Sequence, residues 1–337
     1  MIVEQALPLA PRRRLMSGLS GNLTAIAPVL TLVVLFLFFS VVSNSFLTEA
    51  NLNNLLVQIS TIGILAAGMT FVLLTAQIDL SVAAIMALSG MFAAQLSLDL
   101  AIPEPFPTVV GLATGTILGF VSGFISVRFG IPTFMTTLAM SLIAKGITLW
   151  SSQGQSYYQI PPIADLLGSG RLGSAGAGIK LVILLSAAIL FISHMVLRYT
   201  LFGRHVYMTG ANPSAARLSG VNTNKVIVIT LTICGFTAAL GGLTNIGRLG
   251  TALTAPETSF LIDAIAVVVL GGTSLMGGRG GIPQTLVGLL IYGTLRNGLD
   301  NIPSIDPLTK DVVTGVVLMI ALVINVVFAG RKVRDRT

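Results

Sequence analysis

The feature that most restricts the fold of this chain is a series of apolar segments, each about 20 residues long, separated by short polar stretches. Hydrophobic residues make up 54% of the 337 residues and charged residues only 9%. A water-soluble domain carries about 25% charged residues. A helix of about 20 residues spans the hydrocarbon core of a bilayer and satisfies its backbone hydrogen bonds internally. The sequence therefore predicts an all-α, polytopic integral membrane protein.

The apolar pattern predicts about ten transmembrane helices. They lie near Thr24–Val42, Leu55–Thr75, Leu80–Leu98, Pro107–Val127, Thr133–Trp150, Lys180–Leu197, Val226–Ile246, Phe260–Leu275, Ile282–Leu299 and Val312–Phe328. Residues 24–329 are thus interpreted as one transmembrane domain between an N-terminal tail, 1–23, and a C-terminal tail, 330–337. The first apolar run is long enough to span and lacks a clear small-residue cleavage site, so we expect a helix rather than a cleaved signal peptide.

The positions of the basic residues predict the orientation. Most fall in tails or loops that this threading puts on one side: Arg12, Arg13, Arg14, Arg128, Arg198, Arg204, Arg217, Lys225, Arg279, Arg331, Lys332, Arg334 and Arg336. The other side has only Arg171, Lys180, Arg248 and Lys310, while Lys145 and Arg296 fall within spans. The positive-inside rule makes the first side cytoplasmic, so both termini are predicted to lie in the cytoplasm. The rule also accounts for the net charge of +7 without nucleic acid as a partner.

The longest polar island between the apolar runs is Arg198–Lys225, which has several basic residues and no Asp or Glu. Within it, Asn212 is a favourable N-cap, Pro213 fits the first helical position, and Gly220 can end a helix. We therefore expect about two turns of helix on the cytoplasmic face. Its expected contacts with a partner outside the bilayer are Arg204, Asn212, Pro213, Ala215, Ala216, Arg217, Gly220 and Val221.

Four glycines recur at every fourth position of the fourth span: Gly111, Gly115, Gly119 and Gly123. This spacing places them on one face of a helix, where a neighbouring helix can approach at the level of the backbone. The pattern favours helix packing over contact with a substrate.

Two stretches, 68–87 and 264–283, each show an apolar helix, a break rich in Gly, Thr or Ser, and a new helix. They resemble an internal repeat, although any two helical hairpins share such features, and transporters often place broken helices near the transport path. Candidates for the pathway or its breaks are Gln77, Asp79, Lys145, Asn245, Thr273 and Arg296. Asp79 can instead cap the third helix, and the two long basic side chains can reach the membrane surface.

Several kinds of site are missing from the sequence. No Lys follows a Gly, which excludes a Walker A phosphate-binding loop. No Cys/His cluster offers a metal site, and the single cysteine, Cys234, cannot form an internal disulfide. If ATP drives this protein, another chain must bind the nucleotide.

Four blocks in order resemble the permease subunits of ribose-type sugar importers of the ATP-binding cassette class. They are GMTFVLLTAQIDLSV, FGIPTFMTTLAM, LFGRHVYMTGANPSAARLSGVNTNK and IDAIAVVVLGGTSLMGGRGG. Two positions depart from the family pattern, Gln77 before Ile-Asp-Leu-Ser and Ala83 after Val82, and they leave the identity of the sugar open.

The resemblance implies a bacterial inner-membrane protein that forms the path for a monosaccharide. It implies a second permease copy, separate ATPase subunits, a periplasmic sugar-binding protein, and a coupling helix at Asn212–Val221 within the loop 198–225. The chain itself would hold no cofactor and would have no catalytic site. An ion-coupled secondary transporter of a small polar solute is the alternative, but it needs acidic residues near the midplane, where this chain has almost none. A membrane enzyme would need paired carboxylates or a nucleophile with its base, and the sequence shows neither.

Overall fold

A computed structural model of the chain describes residues 13–173, 178–254, 259–302, 306, 309–310, 312–317 and 319–320. Its helices are α1 (Arg13–Val42), α2 (Glu49–Leu74), α3 (Val82–Leu98), α4 (Phe106–Phe129), α5 (Thr133–Ser151), α6 (Pro162–Ser169), α7 (Leu181–Tyr199), α8 (Leu201–Ala211), α9 (Pro213–Leu218), α10 (Thr223–Leu249), α11 (Ser259–Leu270) and α12 (Ile282–Asp300). Residues 309–310, 312–317 and 319–320 are also helical. Strands β1 (Arg171–Leu172) and β2 (Ile179–Lys180) form a short antiparallel pair. The predicted C-terminal tail, the first twelve residues of the predicted N-terminal tail and the end of the tenth span lie outside the described residues.

The prediction of an all-α, multi-pass membrane protein is confirmed. In the described part of the chain, α2, α4, α5, α7 and α10 are long and apolar enough to cross a membrane. Buried residues make up 89% of the most apolar stretch of α2 and 67% of that of α10, but 33% or less in the other three. Therefore α2 and α10 form the centre of the bundle, and the other three present apolar side chains at its periphery.

The glycine face of α4 packs against α10. A Cβ atom added to Gly115 would lie 2.5 Å from the carbonyl oxygen of Gly235, and one added to Gly119 would lie 2.4 Å from that of Leu231. Gly111 and Gly123 are buried on the same face of α4. The two helices thus approach at the level of their backbones, a spacing that only glycine permits.

The predicted inner and outer loops lie at opposite ends of α10. At its beginning, α8 and α9 lie beside the turn after α2 and the glycine-rich turn after α11. At its other end, a β-bridge joins Tyr157 to Ala252, and α6 packs so closely that a Cβ on Gly247 would lie 1.8 Å from the carbonyl oxygen of Ala164. The structure therefore separates the two loop sets, while the assignment of one end to the cytoplasm stays a prediction.

Three elements differ from their predicted form. The eighth predicted span, Phe260–Leu275, ends as helix α11 at Leu270, because Gly271 packs against the backbone of Gln284 and Gly272 turns the chain with φ +103°. The predicted outer loop 151–178 contains the helix α6 and strand β1. The polar island begins with an additional helix, α8, which Thr200 caps by accepting a hydrogen bond from Gly203 N.

Candidate functional site

The short helix α9 has the caps that its sequence predicts. The side-chain oxygen of Asn212 accepts hydrogen bonds from the backbone N–H groups of Ser214 at 3.1 Å and Ala215 at 3.0 Å. Pro213 occupies the first turn, where a missing N–H costs nothing. After the helix, Gly220 has φ +82° and so turns the chain toward α10. These local interactions hold a one-and-a-half-turn helix at the end of the bundle.

The two faces of α9 have different surroundings. Ala216 is 1% exposed and Val221, just after the helix, is 6% exposed, and both belong to the hydrophobic core. Asn212, Pro213, Ala215, Arg217 and Gly220 are exposed, as is Arg204 on α8. This corrects the expectation for two residues: Ala216 and Val221 fix the segment to the bundle and are not available to a partner. Leu218, which sequence analysis did not select, is 92% exposed.

Helix α8 joins this segment to the rest of the protein through a tight seam. A Cβ on Gly210 would lie 1.9 Å from the carbonyl oxygen of Leu74, the last residue of α2. The same carbonyl accepts a hydrogen bond from Gly278 N at 2.9 Å. The end of α8, the end of α2 and the turn after α11 therefore meet at Gly210, Leu74 and Gly278, and we call this contact the seam. Gly210 was not selected from the sequence, because its close contact with α2 follows from packing and has no local sequence signal.

Both predicted helix breaks lie at this seam. In the first, Ala76 has φ +59°, Gln77 accepts a hydrogen bond from Thr133 on α5, and the buried Asp79 accepts hydrogen bonds from the backbone and hydroxyl of Ser81. The carboxylate therefore closes the turn just before α3, but it does not cap that helix: Ser81 is the N-cap residue, and no side chain of the described residues accepts a hydrogen bond from the first N–H groups of α3.

The second break is closed by its own hydrogen bonds. Ser274 N donates to Arg279 O at 3.0 Å, and Gly281 N donates to the hydroxyl of Thr273 at 3.3 Å. The hydroxyl of Tyr207 on α8 donates to Gly280 O at 2.9 Å. Nearby, the Thr70 and Thr285 hydroxyls of α2 and α12 share a hydrogen bond of 2.7 Å. The structure thus places the two turns that contain Gln77, Asp79 and Thr273 side by side, and we call this pair of turns the layer of breaks.

Asn245 lies elsewhere, near the opposite end of α10, in a pocket between α3, α10 and α11. The pocket is lined by Ala83, Met86, Ala87, Gly242, Asn245, Ile246, Leu249, Thr251, Leu253 and Phe260. Asn245 accepts a hydrogen bond from the Arg248 guanidinium at 3.1 Å, which holds its amide in place. One fixed amide, one hydroxyl and one aromatic ring in small apolar surroundings could contact a small polar solute. Phe260 and Thr251 were not selected from sequence.

The two basic residues within spans do not join either group. Lys145 on α5 and Arg296 on α12 are both exposed at the surface of the single chain. Arg296 interacts with Tyr292, which also interacts with Asp263 of α11. Among the residues that the structure describes, no group of three His, Cys, Asp or Glu side chains is placed to hold a metal ion.

Comparison with known proteins gives the family. Residues 51–322 match the family described as the branched-chain amino acid transport system, permease component. The chain belongs to this family of permease components. It is 36% identical to the ribose import permease protein of Escherichia coli strain K12, over 88% of this chain and 92% of that protein. It is 33% identical to the fructose import permease protein of Rhizobium meliloti, over 89% and 85% of the two chains. It is 30% identical to the xylose transport system permease protein of Haemophilus influenzae, over 91% and 97%.

The matched range covers all of the candidate functional residues described above. It begins within α2 and ends beyond α12, so it includes both helix breaks, the seam at Gly210, helix α9 and the pocket at Asn245. The shared sequence therefore extends from α2 to beyond α12 rather than over one motif.

Proposed function

We propose that this permease forms the translocation path of an ATP-binding cassette importer for a monosaccharide. The names of its relatives, which are permeases for ribose, fructose and xylose, support the substrate class. In this proposal ATP is bound by a separate ATPase subunit and the sugar is delivered by a periplasmic binding protein. The chain would supply no catalytic group, since its sequence has no phosphate-binding loop.

The observation that carries the proposal is the connection from α9 to both helix breaks. The exposed face of α9 has no acidic residue, and Arg217 lies on it. Through α8, this helix leads directly to the seam at Gly210. An ATPase that moves α9 would therefore displace both breaks together. Such a displacement could bias a bundle with two arrangements, one open to each side of the membrane.

The proposed path runs between the layer of breaks and the pocket at Asn245. At one end lie the amide of Gln77 and the hydroxyl of Thr273, both hydrogen-bonded within the protein, and at the other the amide of Asn245 and the ring of Phe260. Amides and hydroxyls can exchange hydrogen bonds with sugar hydroxyls without holding the solute tightly. Weak contacts suit a path whose selectivity comes from the binding protein.

We also propose that two copies of the permease pair in the membrane. Lys145 supports this arrangement, because it is exposed on α5 beside the apolar side chains of Leu142 and Ile143. A lysine at the centre of a lipid-facing helix costs about 2.5–3.5 kcal/mol. Contact with a second copy would reduce that exposure.

The substitution Ala215→Glu tests the docking role of α9. Ala215 is exposed, so the permease should insert and fold, but the ATPase would have to bury an unpaired charge at a cost of several kcal/mol. We expect loss of ATPase co-purification and of sugar uptake. Tyr158→Glu is the matched control, since Tyr158 is 80% exposed at the opposite end of the bundle. Wild-type ATPase recovery and uptake in Ala215→Glu would contradict the docking role.

The energy source separates this proposal from an ion-coupled transporter. In vesicles that contain the permease, the ATPase and the binding protein, sugar uptake should require ATP and should continue when ionophores collapse the ion gradients. Uptake that needs a gradient and proceeds without ATP would establish the alternative.

A further inference from the structure

A turn of the second helix break exposes large apolar side chains at the same end of the bundle as α9. Met276 is 84% exposed and Leu275 is 46% exposed. Arg279, three residues later, is exposed as well. Side chains of this kind on an ordered surface mark a contact with another molecule when they lie together.

The turn is held in one conformation. Its neck is closed by the hydrogen bond from Ser274 N to Arg279 O, and its tip by bonds from Met276 N to the Ser274 hydroxyl at 3.2 Å and from Gly277 N to Ser274 O at 3.1 Å. Gly277 and Gly278 have φ +78° and +69°, so they allow the tight reversal. An ordered tip loses little conformational entropy on binding, which favours its use as a recognition element.

The turn lies directly beside the docking helix. A Cβ on Gly278 would lie 2.7 Å from the Cα and Cβ atoms of Ala211, the residue before the N-cap of α9. Gly277 packs in the same way against Ala76 and Gly210. The exposed Met276 therefore belongs to a turn that packs beside the start of α9, and Leu218 on α9 is exposed as well.

We infer that the turn Ser274–Arg279 is a second docking element for the ATPase subunit, with Met276 as its apolar anchor. The inference rests on the proposed function, which places the ATPase on α9. The exposed charges of both elements are basic, including Arg217 and Arg279, and residues 198–225 and 274–281 contain no Asp or Glu. The partner surface that fits them is an acidic rim around an apolar pocket. Since the turn also packs on α2 and α8, this contact would reach the seam without passing through α9.

Met276→Glu tests the inference in the complex of permease and ATPase. The variant should fold, because Met276 is exposed, but it would place a charge in the apolar contact. We expect the affinity for the ATPase to fall at least about tenfold, equivalent to about 1.4 kcal/mol. Met276→Leu keeps an apolar side chain of similar volume and should bind normally. Equal affinity of Met276→Glu and Met276→Leu would overturn the inference.

A cross-linking experiment checks the same contact without relying on a loss of binding. A photoactivatable thiol reagent attached to Met276→Cys should link the permease to the ATPase, with little reaction at Cys234 because that residue is buried. Links to lipid alone would show that the turn contacts the membrane surface and would overturn the inference.

The docking roles of α9 and of the turn can be tested independently. If Ala215→Glu removes the ATPase and Met276→Glu does not, the turn is not a docking element and the proposed function stands. If neither variant affects ATPase binding, the docking role of α9 in the proposed function fails as well.

Discussion

Single glycines set the distance between α4 and α10, and the first prediction concerns them. Gly119→Leu should reduce the amount of folded permease, because even its Cβ atom would lie 2.4 Å from the Leu231 carbonyl oxygen. Overpacking by one methylene group costs about 1–3 kcal/mol, and leucine adds more. Gly315→Leu is the control, since a Cβ at that position in the helical residues 312–317 meets no atom within 4 Å. Size-exclusion chromatography of fluorescently tagged protein measures the folded fraction, and equal fractions in the two variants would contradict the packing role.

A second residue-scale prediction concerns the pocket. Asn245→Ala should lower sugar uptake by the complete transporter while leaving ATPase association unchanged, because Asn245 lies at the opposite end of α10 from α9. The expected result is a raised half-saturating concentration of the sugar-loaded binding protein or a reduced maximal rate. Leu253→Ala, a neighbouring apolar substitution in the same pocket, should have a smaller effect. An unchanged uptake rate in Asn245→Ala would remove this residue from the path.

At the scale of elements, the seam between α8 and the two breaks should couple ATP hydrolysis to transport. Gly210→Ala would force α8 away from α2, since its Cβ would lie 1.9 Å from the Leu74 carbonyl oxygen. The surface of α9 is unchanged, so the ATPase should still bind and hydrolyse ATP. We expect fewer sugars transported per ATP hydrolysed. Gly315→Ala serves as the control in open space, and a wild-type ratio in Gly210→Ala would show that the seam does not transmit the movement.

The sequence predicts some elements of this protein much better than others. Long apolar runs and the caps Asn212 and Pro213 are local signals, so the spans and α9 could be located from them. Helix α8 is harder to identify, because its pattern of polar, glycine and apolar residues resembles a loop and its burial depends on contacts with α2. The early end of α11 could not be predicted either, because it depends on the contact of Gly271 with α12, which no local sequence pattern shows.

The sequence also does not predict which side chains of the docking surface face the bundle and which face outward. A helix of six residues has fewer than two turns, too few for a repeating pattern to show which face is buried, so Ala216 and Leu218 could not be told apart from sequence. The break residues Gln77, Asp79 and Thr273 could be selected because Thr, Gly and acidic residues interrupt apolar runs. Their convergence with Gly210 needed the three-dimensional packing.

At the scale of the whole molecule, the bundle has two distinct ends, and its orientation can be measured directly. Tyr158→Cys and Ser219→Cys would place thiols at exposed positions at opposite ends, while the native Cys234 is buried and should give little background. The positive-inside rule puts the basic stretch around Ser219 in the cytoplasm. A membrane-impermeant maleimide added to intact spheroplasts should therefore label Tyr158→Cys, and Ser219→Cys should react only after the membrane is opened. The reverse labelling would invert the orientation and would place α9 out of reach of a cytoplasmic ATPase.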